Sequence, residues 1–215
     1  SEESRLTFMM NSDDRAAFHA EFDVSRETSE RLDAIILTLD AWRKRSNLIG
    51  PREWPQIWTR HVADSFQILP YVPEAAKCVD LGSGAGFPGL IVSAARPSGH
   101  VTMMESVGKK CAYLRAAITE ASLNAAVYQG RIEAAPNSDA EIVTARAFAP
   151  MPKLLEYASP WMENGATGVF LKGERWKEEL TDAQQSWNFA YEAIPSRTGG
   201  SGVILIVREL ERGRR

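Results

Sequence analysis

VDLGSGAGFPG, Val79–Gly89, sets an aspartate between two apolar residues and then spends four of its last eight positions on glycine. The residues leading into it, KCVDL (77–81), form a short apolar run of the kind seen in strands covered on both faces. The residues leaving it, PGLIVSAARP (88–97), read as a helix with Pro88 near the first turn. A glycine-rich turn between a strand and a helix exposes backbone N–H groups to an anionic or polar ligand, and glycine lets the chain approach that ligand closely.

Such a turn serves several cofactors, and three details narrow the choice. The spacing is Gly82-x-Gly84-x-Gly86, not the dinucleotide G-x-G-x-x-G. Asp80 stands just before the first glycine, where a carboxylate accepts from an amino-acid ammonium directly or through water. Glu105 closes the next apolar run, MMES (103–106), roughly 20 residues on, the position of a ribose-diol acceptor. A nucleoside carrying an amino-acid tail, S-adenosylmethionine (SAM), fits this set. A nicotinamide cofactor fits the glycine spacing less well.

Outward from the loop, the chain alternates. KCVDL, HVTMMES, AVYQG, AEIVTARA, GATGVFLKG, NFAYEAIPSR and GVILIVREL read as seven strands. PGLIVSAARP, VGKKCAYLRAAITEASL and MPKLLEYASPWM read as helices between them. That alternation predicts an α/β, Rossmann-like sheet, mostly parallel. TGGSG joins the last two strands without a helix, so the final strand is expected antiparallel, and ERGRR after it a frayed tail.

Before the sheet, the chain reads as helical through about Pro73. Leu32, Ile35, Ile36, Leu39 and Trp42 share one face, with Ser25 to cap the start and Gly50-Pro51 to end it. EWPQIWTRHVADSFQIL repeats the pattern, with Trp54 and Trp58 expected in the core. The division expected is residues 1–75 as a helical extension and 76–215 as a SAM-binding core, packed as one structural domain.

Composition sets wide bounds. The chain has 215 residues, a net charge of −3 and 44% hydrophobic residues, ordinary for a globular protein able to bury a sizeable core. An acidic balance argues against bulk coating of nucleic acid and leaves room for a local basic patch. Cys78 and Cys111 form neither a disulfide framework nor a zinc pattern, and no metal site is expected. No apolar run approaches a membrane span, and the first residues lack a signal peptide's basic start, so a cytoplasmic protein without membrane contact is expected.

NLIG (47–50), RHVADS (60–65), DLGSGAGFPG (80–89), MMESVGKK (103–110), GRIE (130–133), TARAFAP (144–150) and LKG (171–173) occur in an order and spacing that resemble the bacterial small-subunit ribosomal RNA guanine-N7 methyltransferases. That family was first named glucose-inhibited division protein B. The likeness runs from about Arg26 to the last strand. It implies SAM-dependent transfer of a methyl group to N7 of one guanine in 16S rRNA. By position, it implies cofactor contacts at Gly82 and Phe87 in the loop, beside Gly84 and Gly86 that the glycine spacing already nominates. It implies the adenine pair at Ile132 and Glu133, and Arg146 facing the methyl group. The family's first signature ends in NLT, whereas here the segment is NLIG after RKR.

The chemistry agrees with the residue inventory. Guanine N7 carries a lone pair and no proton, so no general base is needed and the work is positioning and electrostatics. The chain has three histidines, and the end of the fourth strand reads TARAFAP where an exocyclic-amine methyltransferase carries N/D-P-P-Y. Arg146 and Lys172 are the expected electrostatic and positioning residues, holding guanine O6 or a neighbouring phosphate. Arg43, Lys44, Arg45, Asn47, Arg60 and His61 are candidate RNA contacts, though RKR also reads as a solvated helix end, Asn47 as a helix cap, and Arg60–Asp64 as a surface ion pair. The 16S rRNA substrate is expected within the small subunit or an assembly intermediate, and the protein as a monomer. Two other readings share the cofactor: a small-molecule methyltransferase, and a regulatory module that binds SAM without turnover.

Overall fold

The computed structural model describes residues 12–213. The acidic N-terminal stretch up to residue 11 and the last two residues of ERGRR lie outside them. Seven strands form one sheet: β1 (Lys77–Leu81), β2 (His100–Glu105), β3 (Ala125–Gln129), β4 (Ile142–Arg146), β5 (Thr167–Lys172), β6 (Trp187–Pro195) and β7 (Val203–Arg212). Their order is β3-β2-β1-β4-β5-β7-β6. The first five strands run parallel. β7 runs antiparallel to both β5 and β6, so the strand made last sits inside the sheet rather than at its edge.

Period-two alternation decides which side chains face which helices. Cys78, Val101, Met103, Ile142, Val169, Ile204 and Ile206 point to one buried cluster, and Val79, Leu81, Met104, Val143, Phe170, Leu205 and Val207 to the other. The first face carries α1 (Asp13–Glu21), α2 (Arg26–Ser46), α4 (Gly89–Ala95) and α5 (Gly108–Glu120). The second carries α6 (Met151–Met162) and α7 (Trp176–Ala183). Phe18, Leu32, Ile36 and Leu39 of the N-terminal helices share their cluster with Leu90 and Tyr113 of the sheet's own helices. Cys78 and Cys111 are both free and buried. Among the described residues no helix is long and apolar enough to cross a membrane, and no group of three or more His, Cys, Asp or Glu gathers as metal ligands.

The structure corrects four local expectations. α2 is capped by the Ser25 hydroxyl, which accepts from Thr28 N at 3.2 Å, but it stops at Ser46. Asn47 takes left-handed angles, φ 49° and ψ 47°, and turns the chain before Gly50 is reached. The second amphipathic stretch is not one α-helix. It runs as a 3₁₀ turn (Trp54–Gln56), a π-helical turn (Ile57–Val62) and a short α3 (Ala63–Phe66), with the Asp14 carboxylate accepting from Trp58 N and Thr59 N at 2.7 and 3.1 Å. α7 was not expected at all. And Glu211 and Arg212 extend β7 instead of fraying, because the Arg212 guanidinium binds Glu156 at 2.7 Å and lies 4.3 Å from the Trp187 ring centre.

Candidate functional site

The sheet reverses its winding between β1 and β4, and a crevice opens there at the carboxyl ends of the strands. Its first cavity, about 640 Å³, is lined by Gly82–Ala85, Phe87, Glu105, Lys110, Arg131–Glu133, His61 and Arg146 among others. A second, about 550 Å³, lies at the ends of β4 and β5 and includes Asp64, Lys172, Glu179, Ser196 and Thr198. Arg146, Ala147 and Phe148 line both cavities, so one short segment at the end of β4 divides them.

Asp80 shapes the glycine loop from below. Its carboxylate accepts from Ser83 Oγ at 2.6 Å and from Thr144 Oγ1, its register partner on β4, at 2.7 Å. The Gly89 N–H also bonds to it, and burial pushes its pKa up to about 6. Asp80 is 1% exposed and lies outside the cavity lining, its carboxylate turned to Ser83, Thr144 and the Gly89 N–H. It is the anchor that fixes where Gly82–Gly84 run. Gly82, Gly84 and Gly86 all take positive φ, at 64°, 53° and 90°. Gly86 is packed under Leu90, away from the lining.

Glu105 faces the cavity from the end of β2. Oε1 accepts from Gly84 N at 3.1 Å and Oε2 from Val107 N at 3.0 Å, which locks both oxygens in direction and leaves each a further lone pair. Ile132 and Glu133 sit in a 3₁₀ turn across the cavity. A carboxylate, an apolar wall and an open glycine backbone are the donor and acceptor set that a nucleoside with an amino-acid tail needs.

Arg146 is held on three sides by residues whose joint action the sequence left hidden. Its guanidinium donates to His61 Nδ1 at 2.7 Å and to Asp64 Oδ2 at 3.3 Å, and lies 5.3 Å from the Phe87 ring centre. Asp64 in turn accepts from Gln67 Nε2 and Thr198 Oγ1 at 3.0 Å each. The expected Arg60–Asp64 pair does not form, because Arg60 bonds Gln56 and Asp64 is turned to Arg146. The π-helical turn delivers His61 just ahead of Asp64, so the two reach one guanidinium from adjoining turns.

Since arginine has only donors, Nδ1 of His61 is an acceptor and the ring is neutral. Burial, followed by the Arg146 charge, lowers its pKa to about 4. The stability that neutral His61 contributes is therefore complete above the ordinary value of 6.5 and drains away as pH falls toward 4. In an NMR titration of the imidazole protons, His61 is expected to stay neutral through pH 6. A midpoint at or above 6.5 would mean that the Arg146–His61 bond is absent in solution.

The candidate RNA contacts divide. Arg43 binds Asp40 at 2.8 Å and lies 4.2 Å from the Trp54 ring centre. Arg45 is exposed while stacking at 4.5 Å on Trp42, and Lys44 and Arg60 are exposed. Asn47 caps α2 and is outside the cavity lining, which Leu48 and Ile49 of the same NLIG segment join. Lys172 lines the second cavity and is not a free cation. Its ammonium donates to Ala149 O at 2.6 Å and pairs with Glu179 at 2.8 Å.

Comparison with known proteins adds four findings. A family model described as GidB, rRNA small subunit methyltransferase G, matches residues 28–200. A Hyphomonas neptunium protein named ribosomal RNA small subunit methyltransferase G is 72% identical over 95% of this chain and 99% of its own length. One of the same name from Methylorubrum extorquens is 42% identical over 94% and 99%. In fold, the chain resembles a SAM-dependent methyltransferase from Aquifex aeolicus, with TM-score 0.55, 13% identity, and 78% and 96% of the two chains covered.

Proposed function

The chain belongs to the small-subunit ribosomal RNA methyltransferase G family, and from that premise we propose that it methylates N7 of one guanine of 16S rRNA within the small subunit or an assembly intermediate. It is a SAM-dependent rRNA methyltransferase with a Rossmann-like fold. When bound, SAM supplies an electrophilic methyl group on a sulfonium.

The observation that carries the N7 reading is the dividing segment. Arg146, Ala147 and Phe148 line both cavities, and none of these three is a carboxylate or a histidine. The nearest histidine, His61, has its acceptor nitrogen occupied by Arg146. On the divider itself, a nucleophile that must lose a proton meets no base. A lone pair on an aromatic nitrogen needs no base, only a fixed orientation.

In this reading Glu105 accepts from the ribose hydroxyls, the Gly82–Gly84 backbone meets the amino-acid portion, and Ile132 and Glu133 flank the adenine. Asp80 and Gly86 act behind the lining. Arg146 and Lys172 offer positive charge beside the acceptor base. Lys44, Arg45, Arg60 and the residues of NLIG approach the RNA, and the helices up to residue 75 form an extension to the core that begins at 76. In the same reading the protein works in the cytoplasm as a monomer.

The test is methyl transfer from tritiated SAM to small subunits lacking their native methylation, with free rRNA and tRNA alongside, followed by chemical cleavage at N7-methylguanine. Label at one guanine of the subunit RNA is expected. Label at another atom would overturn N7. No label in any RNA with SAM binding intact would favour the small-molecule or sensor readings.

A further inference from the structure

The second cavity holds an ion pair that has an unused acceptor. Glu179 Oε2 forms an ion pair with Lys172 Nζ at 2.8 Å and accepts from Met151 N at 3.2 Å. Oε1 accepts no hydrogen bond among the described residues, and the side chain keeps 25% exposure on the cavity wall. Lys172 lies between Glu179 and the dividing segment, because its ammonium also donates to Ala149 O, next to Phe148. Reading away from the cofactor cavity, the wall therefore presents the Arg146–Phe148 divider, then a donor, then an acceptor.

Guanine presents the complement in the same order. N7 is followed around the ring edge by O6, an acceptor, and then by N1–H, a donor. With N7 aimed across the divider, O6 meets Lys172 and N1–H meets the open oxygen of Glu179. Adenine fails at both positions: its N6 amino group faces the Lys172 ammonium, donor against donor, and its N1 lone pair faces the carboxylate. N7 itself does not distinguish the two purines, since it is an acceptor in both.

We propose that Glu179 is the residue that selects guanine over adenine, by accepting from N1–H while it holds Lys172 toward O6. This rests on the N7 reading above. A well-placed hydrogen-bonding pair discriminates between bases by about 10- to 100-fold, because the wrong base leaves buried polar groups unpaired.

The experiment measures kcat/KM with tritiated SAM on small subunits carrying either guanine or adenine at the target nucleotide. Wild type is expected to prefer guanine by at least about 100-fold, since both positions are mismatched for adenine. Glu179→Gln is expected to lower kcat/KM on guanine by about 10-fold or more, with the SAM dissociation constant unchanged and the guanine-to-adenine ratio reduced. Glu179→Ala, which removes the acceptor without adding a donor, is read in the same assay, so either variant that binds SAM suffices. Equal losses on both bases, or no loss, would overturn the proposal and leave Glu179 as a support for Lys172 and α6. Failure of both variants to bind SAM would do the same. Absence of N7 methylation by wild type is a separate result and counts against the reading beneath.

Discussion

Arg146→Ala is expected to lower the rate of methyl transfer at saturating SAM by about 10²- to 10³-fold, the usual cost of removing one preorganised donor from a reacting centre. Arg146 ends β4 on the divider between the two cavities, and it reaches that position already restrained by His61, Asp64 and the Phe87 face. Preorganisation of this kind does not have to be established during the reaction, so its loss falls on turnover. Arg146→Lys is expected to recover little, because one ammonium cannot meet Asp64 and His61 with the spacing of a planar fork. Two further changes should accompany the alanine variant. Asp64 loses its cationic partner while part-buried, at a cost of about 1–3 kcal/mol in stability. His61 loses the second-largest influence holding its pKa down, so its titration should move up from about 4 while burial keeps it below the ordinary value. Single-turnover kinetics and the imidazole titration check both. Turnover within a few-fold of wild type would remove Arg146 from the reacting centre.

Gly82→Ala is expected to weaken SAM binding by more than about tenfold, and Gly84→Ala to weaken it less. Both residues take positive φ, so either substitution carries left-handed strain of about 1–2 kcal/mol. The surroundings separate them. A methyl group at Gly82 would stand 2.0 Å from Phe148 Cδ2 and 2.7 Å from its Cγ, too close to the root of the ring for a small adjustment. Phe148 must swing away, and with it part of the divider. A methyl group at Gly84 meets nothing nearer than Gly82 O at 3.8 Å. Isothermal titration with SAM separates the two, and the melting temperature is expected to fall modestly for Gly84→Ala, from strain alone, and further for Gly82→Ala, which also displaces Phe148. Equal SAM affinities would mean that the Phe148 contact does not shape the site.

These expectations draw unequally on sequence and structure. The loop, the seven strands and Glu105 were legible because each depends on local pattern: period-two burial, glycine at turns, a carboxylate at a strand end. The parallel order followed from helices between strands. What escaped was set by long-range contact. Asp64 reads as the partner of Arg60 by helical spacing, and only the π-helical turn and the approach of β4 assign it to Arg146. The place of Asp80 beside the loop is visible in sequence, whereas the Thr144 and Ser83 hydroxyls that donate to its oxygens are not. α7 was missed because its eight residues bury little beyond Leu180 and Ala183, a short apolar signal amid charge. With that helix went Glu179. Arg43 reads as one cation of three, and its approach to the Trp54 ring is visible only in the fold.

The position of β7 bears on how the chain reaches this state during synthesis. β5 pairs on one side with β4 and on the other only with β7, whose residues Val203–Arg212 are made after every other strand. Until they leave the ribosome, β5 presents a full row of unpaired backbone groups beside an apolar face, and β6 has no strand to join. A chain halted before Val203 therefore carries the whole SAM-binding half of the sheet together with an edge suited to joining another chain. Until Val203–Arg212 are made that edge stays open, and the ten residues of β7 are what close it.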